Sequence, residues 1–261
     1  MGLASLGSGS RGNGTLVAIG GSVFLVDCGF NLKQTEQRLA RLQLSPGDLS
    51  AILVSHEHRD HIEGVTALSH RYGIPVFASY GTLKSGPKDF SCTPFDSDVP
   101  FEVEGVLVNP VVVPHDAREP TQFVLQHDVM KIGVLSDLGS VTEHVATQFS
   151  DCDYLLLEAN HDRAMLQRGS YPPALKRRVG GDYGHLSNTQ AFELLERIAH
   201  AGLHVVIGHV SEQNNDVNLV ESLFAPLRPQ LASLSIATQK EGQRWIGEQP
   251  ITRQISFDKV I

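Results

Sequence analysis

Four apolar runs in this chain each lead into a residue able to bind a metal ion. Ala51-Ile52-Leu53-Val54 runs into His56-Glu57-His58-Arg59-Asp60-His61, Val111-Val112-Val113 into Pro114-His115, Ile132-Gly133-Val134-Leu135 into Ser136-Asp137, and Val205-Val206-Ile207-Gly208 into His209. Short runs rich in Val, Ile and Leu read as strands. Any one of these polar residues alone reads as an ordinary core or surface group. Their repetition matters more: strand C-terminal ends gathered on one edge of a sheet sandwich would make the side chains converge, on the rigid scaffold that function usually requires.

The rest of the pattern fits layers. Thr15–Ile19 and Ser22–Val26 are β-rich runs beside Gly-rich turns, and Asn31 can cap an amphipathic helix through Leu42 that Ser45-Pro46-Gly47-Asp48 stops. A helix from His61 to Tyr72 and a strand at Pro75–Ser79 follow. The middle is β-dominated, with Phe101–Glu104, Val106–Val113, Gln122–Gln126 and Lys131–Leu135 as strands. Asp153–Leu157 and His204–Gly208 are further strands, and Asn188–His200 is the clearest helix. Strands in both halves with interspersed helices indicate an α/β chain in which helices cover two packed sheets. We expect one domain over 1–261, with no repeat or linker.

Within His56–His61, three imidazoles and a carboxylate fall inside six residues. A solvated polar loop is the plain alternative, but neutral imidazole is the commonest metal ligand, and a loop at a strand end can aim alternate side chains inward.

The formal net charge of −8 argues against indiscriminate nucleic-acid binding. One stretch is locally positive: Arg163, Arg168, Lys176, Arg177 and Arg178 occur with no acidic residue between Arg163 and Arg178. Such a run is either a solvated face or a contact for anions. No apolar run is long enough to span a bilayer and no basic leader precedes one, so a cytoplasmic location without membrane contact is expected. Cys28, Cys92 and Cys152 form no C-x-x-C pair, which suggests neither a disulfide framework nor a thiolate zinc cluster.

His56, His58, Asp60 and His61 match the H-x-H-x-D-H motif, and the whole chain resembles the metallo-β-lactamase superfamily. The resemblance implies an αββα sandwich with two divalent ions, zinc or manganese in the first place and iron as a further candidate. It puts His56, His58 and His115 on one ion and Asp60, His61 and His209 on the other, with Asp137 bridging. Asp27 sits where the family has a buried Asp that steadies the ligand loop. True β-lactamases of this fold typically use a Cys or lack the final His of the motif, so antibiotic hydrolysis is not expected.

Further segments narrow the resemblance: Ser8-Gly9-Ser10-Arg11-Gly12-Asn13, His115-Asp116-Ala117, Leu155–Asp162, Tyr171–Arg178, Gly184–Asn188 and Ser211–Asn215. Together they are similar to the YycJ/VicX/WalJ family, whose members are described as 5′-to-3′ DNA exonucleases. Glu158 and His185 also resemble a motif pair of tRNA 3′-processing relatives, in which the Glu orients a His that protonates the leaving oxygen. Beside Asp60 they are the catalytic candidates, although a strand-end carboxylate and a helix-start His could be decoration. The family match places Ser10 and Asn13 of the Gly-rich loop, Lys176, Arg177, Arg178 and Asn188 on the substrate side. DNA ends or single strands suit this compact chain, because the short interval from His115 to Asp137 leaves no room for the arm of the tRNA-processing relatives. Two rival readings remain open, a small-molecule cyclic phosphodiesterase and a non-catalytic regulatory binding protein of the same fold. No obligate protein partner is inferred.

Overall fold

The computed structural model describes residues 1–250, and residues 251–261 of the expected domain lie outside the described residues. The first strands are β1 (Gly2–Gly7), β2 (Gly14–Ile19), β3 (Ser22–Val26), β4 (Ala51–Val54), β5 (Val76–Ser79) and β6 (Thr93–Phe95). They are followed by β7 (Phe101–Val103), β8 (Val106–Val112), β9 (Thr121–His127), β10 (Met130–Leu135), β11 (Tyr154–Glu158), β12 (His204–Gly208), β13 (Ser233–Ile236) and β14 (Gln243–Gly247). One seven-stranded sheet has the order β14-β1-β2-β3-β4-β5-β6 and the other β13-β12-β11-β10-β9-β8-β7. Each is mixed: β3 to β6 run parallel in the first, β10 to β13 in the second, and the remaining strands pair antiparallel.

Alternation along the strands assigns every side chain to a layer. In β4, Ile52 and Val54 join the core under the outer helices of the first sheet, while Ala51 and Leu53 face the second sheet. In β11, Leu155 and Leu157 face helices and Leu156 faces the first sheet. Three apolar layers result, which is why the parallel strands carry apolar residues on both faces. The αββα sandwich is thus the architecture, and among the described residues no helix is long and apolar enough to cross a membrane.

Helix boundaries follow local chemistry. The Asn31 side chain accepts from the Gln34 N–H and starts Leu32–Arg41, and Ser187 with Gln190 forms a capping box that starts Asn188–Ile198. The helix expected from His61 to Tyr72 is instead two, Arg59–Ile62 and Val65–Tyr72. The break falls at Gly64, whose N–H donates to the Cys28 carbonyl at 2.8 Å while the Asp60 carbonyl accepts from Asn13 N–H instead, and the close Phe30 carbonyl leaves no space there for a Cβ. Strands β1 and β14 and the helices Arg163–Arg168, Pro173–Val179 and Val217–Phe224 add to the elements read from sequence.

Parallel register aligns the strand ends. Leu135 pairs with Leu157 and Glu158 with Gly208, so Asp137, Glu158 and His209 leave the second sheet side by side. Across the sandwich Thr121 N–H donates to the Ser55 carbonyl at 3.0 Å, which ties the end of β4 to the second sheet.

Candidate active site

The loop after β4 is organised from below by Asp27. This residue follows β3 with φ 61°. Its carboxylate accepts from Ser55 N–H at 2.8 Å and Ser55 Oγ at 2.7 Å, and lies 2.7 Å from His61 Nδ1. A carboxylate at Nδ1 fixes that proton and leaves Nε2 as the free donor atom. His61 Nε2 abuts Asp137 Oδ2. The remaining pieces of the loop turn inward as well: His56 is fully buried, and His58 lies at the rim.

His56, His58 and His115 bring three ring nitrogens within 4.8 Å of one another, and His56, His61 and Asp137 form an adjoining set. His115 is oriented by the Gly184 carbonyl, 2.9 Å from its Nδ1, so its Nε2 points into the cluster. On the other side His209 Nδ1 is 2.6 Å from Asp137 Oδ1. Asp60 lies at the edge, its Oδ2 3.5 Å from His61 Nε2 and 3.2 Å from the Asn13 amide.

Several of these atoms have no conventional partner. His56 Nε2 and both Asp137 oxygens are buried without an aligned hydrogen bond, although ring nitrogens of His61, His185 and His209 crowd the carboxylate. Such atoms are costly to bury unless something else satisfies them. Ligand atoms crowded together without an aligned hydrogen bond are the arrangement a cation completes. The His/Asp set fits a divalent metal.

Distance alone also groups Glu158 and His185 with Asp137 and His209. Hydrogen bonding separates them. Glu158 Oε2 accepts from Leu138 N–H at 3.1 Å and Leu186 N–H at 3.3 Å, and Oε1 is 2.7 Å from His185 Nδ1. Its lone pairs are therefore committed, and His185 presents its other nitrogen to the cavity that it lines.

Electrostatics divide the histidines. Burial drives the His56 pKa well below the ordinary value, and the neighbouring His61 adds to this, so its ring is neutral and free to ligate. Burial likewise lowers His115. In His185 burial pulls the same way, but Glu158 and Asp137 overcome it and hold the pKa well above the ordinary range. Asp137 is itself kept well below the usual carboxylate range: burial opposes ionisation, and His209 and His61 outweigh it.

A cavity of about 310 Å³ opens onto these groups, lined by His58, Asp60, Asp137, His185 and His209 together with Tyr171, Leu175, Arg178 and Val179. A larger cavity, about 410 Å³, lies at the opposite end of β3 and β4, away from the donor clusters. The donor chemistry marks the smaller one as the candidate site. Of the substrate-side expectations, Ser10 and Arg178 line it. Lys176 does not; it turns away and donates to the Gln167 carbonyl at 2.6 Å. Arg177 is exposed and also outside the lining. Asn13 is buried, with its amide spent on Gly9 and Asp60, and Asn188 exchanges amide hydrogen bonds with Asn215. Neither lines the cavity. Tyr171 and Asp116 received no role from sequence, yet Tyr171 lines the cavity and Asp116 pairs with Arg178 at its mouth. The i, i+4, i+8 spacing of Tyr171, Leu175 and Val179 was the available signal for the first; the pairing of Asp116 depends on loop conformation and left none.

Known proteins are similar to this chain in sequence and in fold. Residues 23–209 match the beta-lactamase superfamily domain. The chain is 34% identical over 217 residues to exodeoxyribonuclease YycJ of Bacillus anthracis, covering 80% of this chain and 82% of that protein. It is 33% identical over 219 residues to exodeoxyribonuclease WalJ of Streptococcus pneumoniae, covering 80% and 81%. Among solved structures, the metallo-β-lactamase fold protein YhfI of Bacillus subtilis superposes with a TM-score of 0.69 at 15% identity, covering 94% of this chain and 99% of that one, a likeness of fold.

Proposed function

This chain belongs to the metallo-β-lactamase superfamily and within it to the YycJ/WalJ family, and from that premise we propose that it is a metal-dependent phosphodiester hydrolase releasing nucleotides from the 5′ ends of DNA. His56, His58 and His115 would hold one divalent ion and Asp60, His61 and His209 a second, with Asp137 shared; zinc, manganese and iron all suit these donors. When bound, such ions polarise the phosphodiester and make water nucleophilic near neutral pH. The chain's own residues supply the rest. Asp27 keeps the His61 proton on Nδ1, and Asn13 restrains the Asp60 carboxylate.

The observation that carries the reading is His185, seated 2.7 Å from a fully buried Glu158 beside the donor cluster. Glu158 holds the Nδ1 proton, and with Asp137 it raises the His185 pKa and favours the imidazolium, in which Nε2 has a proton to offer toward the cavity. Delivery of that proton to the departing sugar oxygen removes the need to expel an alkoxide. Neither antibiotic hydrolysis nor simple metal storage would need this pair.

Digestion of 5′- and 3′-labelled DNA and RNA strands with a panel of divalent metals tests the proposal. Mononucleotides should appear first from the 5′-labelled DNA while the 3′-labelled strand shortens progressively. Cleavage of circular single-stranded DNA at a comparable rate would defeat the exonuclease assignment.

A further inference from the structure

The helix Pro173–Val179 buries none of its residues, and Tyr171, Leu175 and Val179 belong to none of the hydrophobic clusters among the described residues. A helix normally turns its apolar stripe to a core. Here the apolar residues line the candidate cavity instead. Part of the lining is thus aromatic and aliphatic, and none of the hydrophobic clusters among the described residues takes it in.

The same helix is joined to the reacting groups. His185 N–H donates to the Val179 carbonyl at 2.9 Å, and Gly184 lies so close to the Arg178 and Val179 carbonyls that no Cβ would fit. Arg178, three residues after Leu175, pairs with Asp116, whose Oδ1 is 3.6 Å from His115 Nε2. The guanidinium is therefore held at the mouth, beside the apolar wall and near the first donor cluster. The cavity's 310 Å³ falls at the lower end of small-ligand sites, roughly 300–1,000 Å³, and leaves room for one nucleotide but not a paired duplex.

We propose that Tyr171, with Leu175 and Val179, forms a base-stacking wall for the terminal nucleotide, whose phosphate Arg178 contacts from the position Asp116 gives it. This rests on the nuclease reading and adds to it the part of the substrate that is gripped. Every base offers a π-face, so such a wall selects single-stranded ends without selecting sequence.

Binding rather than turnover tests it. Calorimetry on the manganese-loaded protein compares 2′-deoxyadenosine and thymidine 5′-monophosphates with 2-deoxyribose 5-phosphate, which presents the same phosphate without a base. Both nucleotides should bind about tenfold more tightly than the sugar phosphate. Tyr171→Ala should abolish that preference with little change for the sugar phosphate, and Tyr171→Phe should keep it. Equal affinities in the parent protein, or a preference that survives Tyr171→Ala, would overturn the wall; the first result does not depend on any variant folding. Base preference in a protein that cleaves no DNA would reject the exonuclease reading while upholding the wall, and cleavage without base preference would do the reverse.

Discussion

The two ends of the sandwich use the same unusual backbone geometry for different ends. Among the described residues, seven other than glycine have positive φ. Four of them, Gln43, Glu104, Asp128 and Asp151, are exposed and lie in turns at the end where the parallel strands begin. The other three, Asp27, Asp137 and His209, are buried and sit just beyond the ends of β3, β10 and β12. A left-handed residue costs roughly 1–2 kcal/mol with an L side chain, and it persists only where its surroundings over-determine it. At the far end tight turns require it. At the site end Asp27 N–H bonds to Leu53, and His209 N–H to Ser8 Oγ at 2.7 Å, so the kinks are held and swing polar side chains across the strand ends. Strain placed in the interior, at and just below the donor cluster, is of the kind that persists at functional sites.

The sharpest way to break that comparison is to remove chemistry while keeping geometry. Asn tolerates the left-handed region, so Asp137→Asn should fold normally. It removes the shared charge between the two donor sets, and activity should fall by more than about a thousandfold with loss of at least one ion. Elemental analysis showing unchanged metal content would count against a shared ligand. His185→Ala follows: kcat on DNA should drop by about 10²–10⁴ with metal retained, whereas a nitrophenyl phosphodiester, whose leaving group needs little protonation, should be far less affected. Equal losses on the two substrates would reject the proton-donor role.

A smaller effect is expected one layer out. Asp27→Asn keeps the kink but replaces one acceptor oxygen with an NH₂, so Ser55 or His61 loses a bond. Metal affinity should weaken by about 10–100-fold, measured by competition with a chelator. An unchanged affinity would mean that His61 is oriented by something other than Asp27.

Much of this was legible because it is written in strand patterns. Apolar runs ending in His56, His115, Asp137 and His209 announced both the layers and the edge where the donors gather. What escaped depends on contacts between distant segments. Nothing in the sequence near Gly64 shows that its N–H will turn to the Cys28 carbonyl, and the Asp60 carbonyl to Asn13, and so split the helix. Asn13 and Asn188 were placed on the substrate side by the family match, but each has an amide or carboxylate partner that only the folded chain supplies. Lys176, Arg177 and Arg178 were read together as a charge run, yet a helix rotates successive residues by about 100°, so one of the three can face the cavity while its neighbours point elsewhere.

The smallest effect sharpens the comparison from the far end. Asp128 and Val129 link His127 to Met130 across the β9–β10 hairpin, and Asp128 takes φ 51° with its side chain largely exposed. Two-residue hairpins favour positive φ, which Gly supplies without steric cost. Asp128→Gly relieves the left-handed penalty but gives the unfolded chain more freedom, a loss of about 0.5–1 kcal/mol. The 3.4 Å contact between His127 and the exposed Asp128 carboxylate adds little, as surface pairs do. The balance should be a gain of under about 1 kcal/mol, a rise in Tm of no more than about 2–4 °C for a chain of this size, with kcat and metal content unchanged. Asp137→Gly, given the same relief of backbone strain, should be inactive and depleted of metal. Thermal melts and activity on the two variants together decide the point. If Asp128→Gly also lowered kcat, the positive-φ turns of the far end would be coupled to the chemistry, and the division of labour between the two ends would fail.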